Sequence, residues 1–135
     1  MSNNTVQSAT KLGRVGIDGA KTRQVQGLLS QSNRVDIYQF SLVGRNRYRA
    51  RFDFATDQGA CKVALGLADT KGKVTFSTAP LRPGKALARE LRPYREVNGE
   101  DVPPEGLQAS RVYIKLFRPT QDVNYRFSIK YKELD

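Results

Sequence analysis

Four arginines occupy every second position of one short segment: Arg45, Arg47, Arg49 and Arg51. A guanidinium group donates paired hydrogen bonds to a carboxylate or a phosphate, so such a row is suited to binding an anionic partner. If the segment is a β-strand, all four side chains lie on one face, about 7 Å apart along the strand. Each neighbouring pair then repels by about 0.6 kcal/mol in water, a cost that solubility alone does not require. We favour an anion-facing ridge over an ordinary solvated strand face whose charge acids such as Asp53 offset.

Two more basic groups follow the arginine row along the chain. The first lies in the middle of the chain and comprises Arg82, Lys85, Arg89, Arg92 and Arg95. The second alternates with apolar residues near the C-terminus and comprises Lys115, Arg126, Lys130 and Lys132. We interpret both as solvated faces whose summed potential steers an acidic partner toward the protein. Lys115, Arg126 and Lys130 therefore join the arginine row as predicted electrostatic contacts.

Two aromatic residues accompany the C-terminal cations. Tyr113 and Phe117 alternate with the apolar residues of their segment, so a strand would place both on its outer face, beside Lys115. There the rings and the ammonium group would form a mixed aromatic and cationic patch. The alternative is that both rings pack beneath the irregular segment 92–110, and this is the interpretation we favour.

The composition excludes most catalytic chemistry. The 135 residues include no histidine and one cysteine, Cys61, so a Ser-His-Asp or Cys-His apparatus, a histidine metal ligand and an intramolecular disulfide are all excluded. Cys61 shares the parity of Val63, which predicts a small buried side chain. Gly13, Gly16 and Gly19 neither follow a strand nor open a helix, so they do not form a nucleotide-binding loop. We predict a protein that is not an enzyme and has no cofactor.

The residues that could contact a partner lie on segments whose apolar side chains recur with a period of two, which is typical of half-buried β-strands. The alternating sets are Tyr38, Phe40 and Leu42; Tyr48, Ala50, Phe52 and Phe54; Val63, Leu65 and Leu67; Val112, Ile114 and Leu116; and Tyr125, Phe127, Ile129 and Tyr131. Turn sequences rich in Gly, Asp, Asn and Pro separate them. Residues 74–78 form a further strand candidate, and residues 85–91 form either a strand or a single helical turn. The pattern predicts an all-β fold, an antiparallel β-sandwich or jelly roll of about eight strands.

The chain reads as one domain. We expect residues 1–10 to be flexible and residues 11–135 to form the sandwich, with a long surface loop at about 92–110 where prolines and glycines concentrate. Because long loops on rigid scaffolds often carry function, Tyr94 and Arg95 are predicted as further partner contacts.

Several motifs in this order resemble the bacterial pre-peptidase C-terminal domain, a jelly-roll β-sandwich module. They are the leader ATKLGRVGIDG at residues 9–19, the D-x-Y-x-F-x-L strand beginning at Asp36, the V-x-L-x-L-x-D-x-x-G stretch beginning at Val63, and the final strands at 111–117 and 124–131. The resemblance covers nearly the whole chain. It implies the sandwich fold, in a stand-alone and intracellular version.

The chain departs from the family pattern in three respects. A long insertion separates Leu91 from Arg111, we expect no signal peptide because the first residues are polar, and the surface is strongly basic. Family members that bind calcium use clustered carboxylates. Here the carboxylates are scattered among cations, so we predict no metal site from Asp18, Asp36, Asp53, Asp57 and Asp69.

The charge balance indicates the kind of partner. Lys and Arg number 23 against 13 Asp and Glu, for a net charge of +10. We expect a non-catalytic adaptor, linker or subunit that docks on an acidic protein or protein complex. Through the resemblance to stand-alone cyanobacterial modules, that complex would be a phycobilisome or another photosynthetic assembly. Nucleic acid is the alternative partner and carbohydrate a weaker one, whereas a small-molecule ligand is not expected. No apolar run approaches the roughly 18 residues of a membrane span, and we expect a cytoplasmic location, peripheral to a larger complex.

Overall fold

A computed structural model describes residues 5–17, 19–45, 48–69, 71–80, 86–91, 95–102 and 107–133. In chain order its strands are β1 (Thr10–Gly16), β2 (Thr22–Leu29), β3 (Val35–Arg45), β4 (Tyr48–Thr56), β5 (Lys62–Ala68), β6 (Val74–Pro80), β7 (Ala86–Leu91), β8 (Arg95–Val97), β9 (Glu100–Val102), β10 (Leu107–Phe117) and β11 (Val123–Glu133). None of the described residues forms a helix that could span a membrane.

Nine of these strands form two sheets. The five-stranded sheet has the order β1-β3-β10-β5-β6, and the four-stranded sheet has the order β2-β11-β4-β7. The predicted all-β sandwich is therefore confirmed, with one difference from a purely antiparallel arrangement, because β1 pairs with β3 in parallel. The ambiguous segment 85–91 contributes the strand β7 rather than a helical turn. Within the segment 92–110, β8 and β9 form a short antiparallel hairpin, and β10 begins at Leu107.

The parallel pairing of β1 depends on a glycine. Gly16 has a φ of +116°, a conformation that residues with a Cβ rarely adopt. A Cβ at this position would also overlap the backbone carbonyl oxygen of Val43, the residue paired with Gly16 on β3. The Gly-rich leader therefore lets the first strand lie close against the sheet edge.

The core lies between the two sheets because the alternating apolar side chains of both point inward. In β11 the buried and exposed positions alternate from Val123 through Tyr131. Phe40 of the five-stranded sheet and Phe52 of the four-stranded sheet meet with ring centroids 5.7 Å apart. Each fully buried ring of this kind stabilises the fold by about 1.5–3 kcal/mol relative to an exposed one. The alternate residues of the same strands are thereby directed outward, and they determine what a partner would meet.

Candidate functional site

The outer face of the four-stranded sheet brings together cations that lie far apart in the sequence. Strands β4 and β11 pair antiparallel, and their register sets Arg51 opposite Lys130 and Arg49 opposite Lys132. We call these four residues the cationic ridge. Arg51, Lys130 and Lys132 are exposed, whereas Arg49 is half-buried. Because side chains alternate along each strand, Phe52 and Ile129 point into the core and the four side chains of the cationic ridge point outward.

Like charges face each other across β4 and β11 in the cationic ridge, whereas on its other side Arg51 is paired with Glu90 of β7. Side chains directly opposite one another on neighbouring strands have Cβ atoms about 5 Å apart, and like charges there are destabilising. Arg51 is partly compensated, since its Nε donates to the Asp53 carboxylate at 3.1 Å. The Arg51 side chain nevertheless remains 56% exposed, so this ion pair is screened by water and leaves the guanidinium accessible.

A shallow trough runs beside the cationic ridge, centred on Arg126. Arg126 projects from β11 and donates through Nη1 to the Asp57 carboxylate at 3.0 Å, and both side chains are about 60% exposed. Depressions of about 390 Å³ and 350 Å³ adjoin it on its two sides. Their outward-facing lining is mainly amide, hydroxyl and carboxylate and includes Gln24, Gln26, Asp53, Asp57, Asn124 and Ser128. The trough therefore offers hydrogen-bond donors and acceptors next to a positive surface.

Not all predicted contact residues join this face. Lys115 lies on β10, so it belongs to the outer face of the five-stranded sheet, on the opposite side of the sandwich from Lys130. Arg45 is the last residue of β3, and Arg95 is the first residue of β8. Arg47 and Tyr94 lie outside the described residues.

The outer face of the five-stranded sheet has a different character. Ile37 and Tyr113 are buried there in a small cluster with Ala9. The ammonium of Lys115 lies 4.7 Å from the ring centroid of Phe117. The mixed patch, which is the interpretation of the sequence that we did not favour, thus forms for Phe117, while the Tyr113 ring is buried beside the N-terminal segment.

A buried polar network, which composition and motifs do not predict, occupies the interior. The Tyr125 hydroxyl donates to the Asp36 carboxylate at 2.5 Å and lies 2.6 Å from the Tyr38 hydroxyl. Asn33 donates to the other Asp36 oxygen at 2.8 Å. Burial raises the pKa of Tyr125, and its hydrogen bond to Asp36 raises it further. The signal in the sequence is parity, because Asp36 shares the inward parity of Tyr38 and Phe40.

The carboxylate of the interior network and the single cysteine are both buried. Asp36 is only 7% exposed and is held by its neighbours, which is the arrangement expected of a structural buried carboxylate. Cys61 is buried as predicted, and burial raises the pKa of its thiol to about 11, which disfavours the reactive thiolate. Across the described part of the chain, no three His, Cys, Asp or Glu side chains are grouped as metal ligands.

Two β-sandwich domains are among the solved structures similar to the chain. The pre-peptidase C-terminal domain of collagenase from Bacillus anthracis matches with a TM-score of 0.55 and 13% identity, covering 90% of this chain and 96% of that one. TmCBM61, solved in complex with beta-1,4-galactotriose, matches with a TM-score of 0.49 and 12% identity, covering 87% of this chain and 85% of that one. No protein-family model and no curated protein matches the sequence. The chain has the β-sandwich fold of the pre-peptidase C-terminal domain, in agreement with the resemblance seen in its sequence.

Proposed function

We propose that this protein is a non-catalytic docking domain that binds an acidic protein surface through the outer face of its four-stranded sheet. The observation that carries the proposal is the register of β4 and β11, which sets Arg51 against Lys130 and Arg49 against Lys132. Four cations on two adjacent strands repel one another in the free protein. An acidic partner relieves that repulsion when it binds. Its binding free energy is therefore more favourable with the four cations on adjacent strands than with the same charges dispersed.

The mixed polar surroundings of the cationic ridge favour a protein over nucleic acid. Asp53 and Asp57 flank the basic residues and would repel a phosphate backbone, whereas they can pair with a lysine or arginine of a protein partner. Among the described side chains, the outer faces of β2, β4 and β11 carry no aromatic ring on which a base or a sugar could stack. The same argument makes carbohydrate the weaker alternative. A phycobilisome or another photosynthetic complex is one acidic assembly that the proposal covers.

The test is a pull-down from native lysate with the protein immobilised, in buffer of low ionic strength and again with about 0.5 M salt, where exposed charges are screened within a few ångströms. We expect recovery of a defined acidic protein at low salt and its loss at high salt. The double variant Arg51→Glu with Lys130→Glu should lose at least about 90% of the captured protein, since opposed like charges cost several kcal/mol at an interface.

A matched control separates the cationic ridge from net charge. Lys71→Glu with Lys73→Glu changes the net charge equally, but at the exposed turn between β5 and β6. The control should retain most of the binding. Equal loss in both double variants would contradict docking at the ridge. Recovery that disappears after nuclease treatment would instead establish nucleic acid as the partner.

A further inference from the structure

The outer face of the five-stranded sheet is apolar where a solvated strand face would be polar. Strand alternation places Val35 and Ile37 of β3, Tyr113 and Phe117 of β10, and Val74 and Phe76 of β6 on this side. Ile37 and Tyr113 are covered, with Val6 and Ala9 of the N-terminal segment packed in the same cluster. Val35, Val74, Phe76 and Phe117 remain half-buried. The described part of the N-terminal segment therefore covers only part of an apolar strip.

A cation lies in the middle of this strip. The Lys115 ammonium is 4.7 Å from the Phe117 ring centroid and 5.7 Å from that of Phe76, and the Arg118 guanidinium is 5.9 Å from Phe117. Two rings and two cations thus form a compact group, which we call the Lys115 patch. Contacts between cations and rings hold the ammonium in place while leaving its charge available to an anion.

The sheet has small residues beneath the Lys115 patch, which leave room for the Phe76 ring. Gly66 of β5 pairs with Tyr113 on one side and with Phe76 on the other. A Cβ at Gly66 would lie 2.6 Å from the Phe76 ring, so any larger residue would displace that ring. Ala64, opposite Lys115, is similarly small and buried. These small residues let the larger side chains of β10 and β6 pack close against the sheet.

We propose that the Lys115 patch and the apolar strip around it are a second docking surface, which binds an extended protein segment carrying both carboxylates and apolar side chains. The carboxylates of such a segment would complement the positive charge of this face. Lys62 and Arg111 lie on the same face as Lys115, and none of the described side chains that alternation places there is acidic. The surface is separate from the cationic ridge, so it goes beyond the function proposed above and would make the protein a bridge between two acidic surfaces.

Two other occupants fit less well. A second copy of this face would bring Lys115 and Arg118 against their own equivalents, and such like-charge contacts oppose a symmetric dimer. A membrane would require apolar side chains that protrude into the acyl region, whereas Phe76 and Phe117 are half-buried on a flat sheet. An extended peptide instead places alternate side chains on such a surface at a strand spacing of about 7 Å.

The experiment is a titration of the ¹⁵N-labelled full chain, followed by NMR, with a synthetic peptide in which glutamate alternates with phenylalanine. A second peptide of equal charge, in which glutamate alternates with serine, is the control probe. We expect the first peptide to shift the amide signals of Phe76, Lys115 and Phe117. The second should shift only those of the cationic ridge, because it lacks the apolar side chains.

Matched variants test the assignment. Lys115→Glu should lower the affinity for the glutamate–phenylalanine peptide at least about tenfold, as expected for a contact at the centre of the surface. Lys130→Glu, on the cationic ridge, should leave the shifts at Phe117 in place. Unchanged affinity in Lys115→Glu, or shifts confined to the ridge, would overturn the proposal.

Two further measurements would assign the face to a different occupant. Sedimentation that shows a dimer dispersed by Lys115→Glu would indicate a second copy, and vesicles of phosphatidylserine that bind only the wild-type chain would indicate a lipid surface. Either result overturns the proposal. Failure of the glutamate–serine peptide to shift the cationic ridge would count against the function proposed above and not against the Lys115 patch.

Discussion

The two outer faces of this sandwich have the same strand alternation but differ in how far it exposes their side chains to water. On the four-stranded sheet, outward positions of β4 and β11 hold Arg51, Lys130 and Lys132, which are exposed. On the five-stranded sheet, outward positions of β3 and β10 hold Ile37 and Tyr113, which are buried. Period-two alternation determines which residues leave the core, but whether they meet water depends on what lies above the sheet.

What lies above the five-stranded sheet is the start of the chain. Val6 and Ala9 pack against the outer cluster, and β1 then joins the edge of the same sheet beside β3. No described segment covers β4 and β11 in this way. A charged surface that no described segment covers on one side of the sandwich therefore contrasts with a partly covered apolar surface on the other.

The largest expected effect comes from the interior that both faces share. Phe52 is fully buried and contacts Phe40 across the two sheets. Phe52→Ala should lower the free energy of unfolding by about 3–5 kcal/mol, through lost burial and a residual cavity. Chemical denaturation measures this change. The two sheets are joined through this layer, so Phe52→Ala should weaken peptide binding at both the cationic ridge and the Lys115 patch. Loss of peptide binding at one face alone would show that the faces are independent of the core.

A smaller loss is expected from the interior hydrogen-bond network. Tyr125→Phe removes the hydroxyl that donates to Asp36, so a buried carboxylate oxygen loses a donor. The free energy of unfolding should fall by about 1–3 kcal/mol, as for other unsatisfied buried groups. Thermal unfolding at neutral pH checks this, with Tyr113→Phe, at the outer cluster, as the control. A change below about 0.5 kcal/mol would contradict a stabilising role for the network.

Alkaline pH should weaken the shared interior before it affects the binding faces. Burial raises the pKa of Tyr38, Tyr48 and Tyr125 above the ordinary value of 10.0, and that of Cys61 to about 11. Each group keeps its proton in the folded chain at a pH where the unfolded chain has lost it. Stability is thus fully present below the ordinary pKa of each group and should decline above it, from about pH 9 for Cys61 and about pH 10 for the tyrosines, by about 1.4 kcal/mol per pH unit for each group. Denaturation midpoints measured from pH 8 to 11 would reveal this decline, and a flat profile would contradict it.

The smallest effects should have opposite signs on the two faces. Lys132→Glu places an anion opposite Arg49 and should raise the free energy of unfolding by about 0.2–1 kcal/mol at low salt. Lys115→Glu, the same change in charge, removes the ammonium contacts with Phe117 and Phe76 and should lower it by about 0.5–1 kcal/mol. Denaturation at low and at about 0.5 M salt compares the two, and the Lys132→Glu gain should shrink at high salt. Shifts of the same sign would remove the distinction between the faces.

Much of this architecture is readable from local pattern. The alternation at 125–131 predicted a strand with a buried face, and β11 has that face. The parity of Cys61 predicted its burial. Segment 85–91 was ambiguous because Ala, Leu, Arg and Glu favour a helix locally, and its pairing with β4 makes it a strand. Pairing with a distant strand overrides local preference because it supplies the hydrogen bonds of the whole ladder.

The candidate site was less predictable because it depends on which strands are neighbours. Lys115 and Lys130 both alternate with apolar residues near the C-terminus, which predicts one basic group, yet β10 and β11 belong to different sheets. Arg51 and Lys130 belong to separate basic groups in the sequence, although they lie directly opposite each other in the fold. Asp36 was assigned to a strand motif, and its partner Tyr125 comes from the other sheet.

The sequence by itself determined the sign of the surface charge, the lack of histidine-based catalysis and the set of residues that point away from the core, since composition and period-two alternation are local properties of the chain. Only the tertiary structure decided that Arg51 and Lys130 share one face and that Lys115 lies on the other among aromatic rings. The reason is that strand order and register are fixed by packing the whole apolar interior at once, and no local segment contains that information.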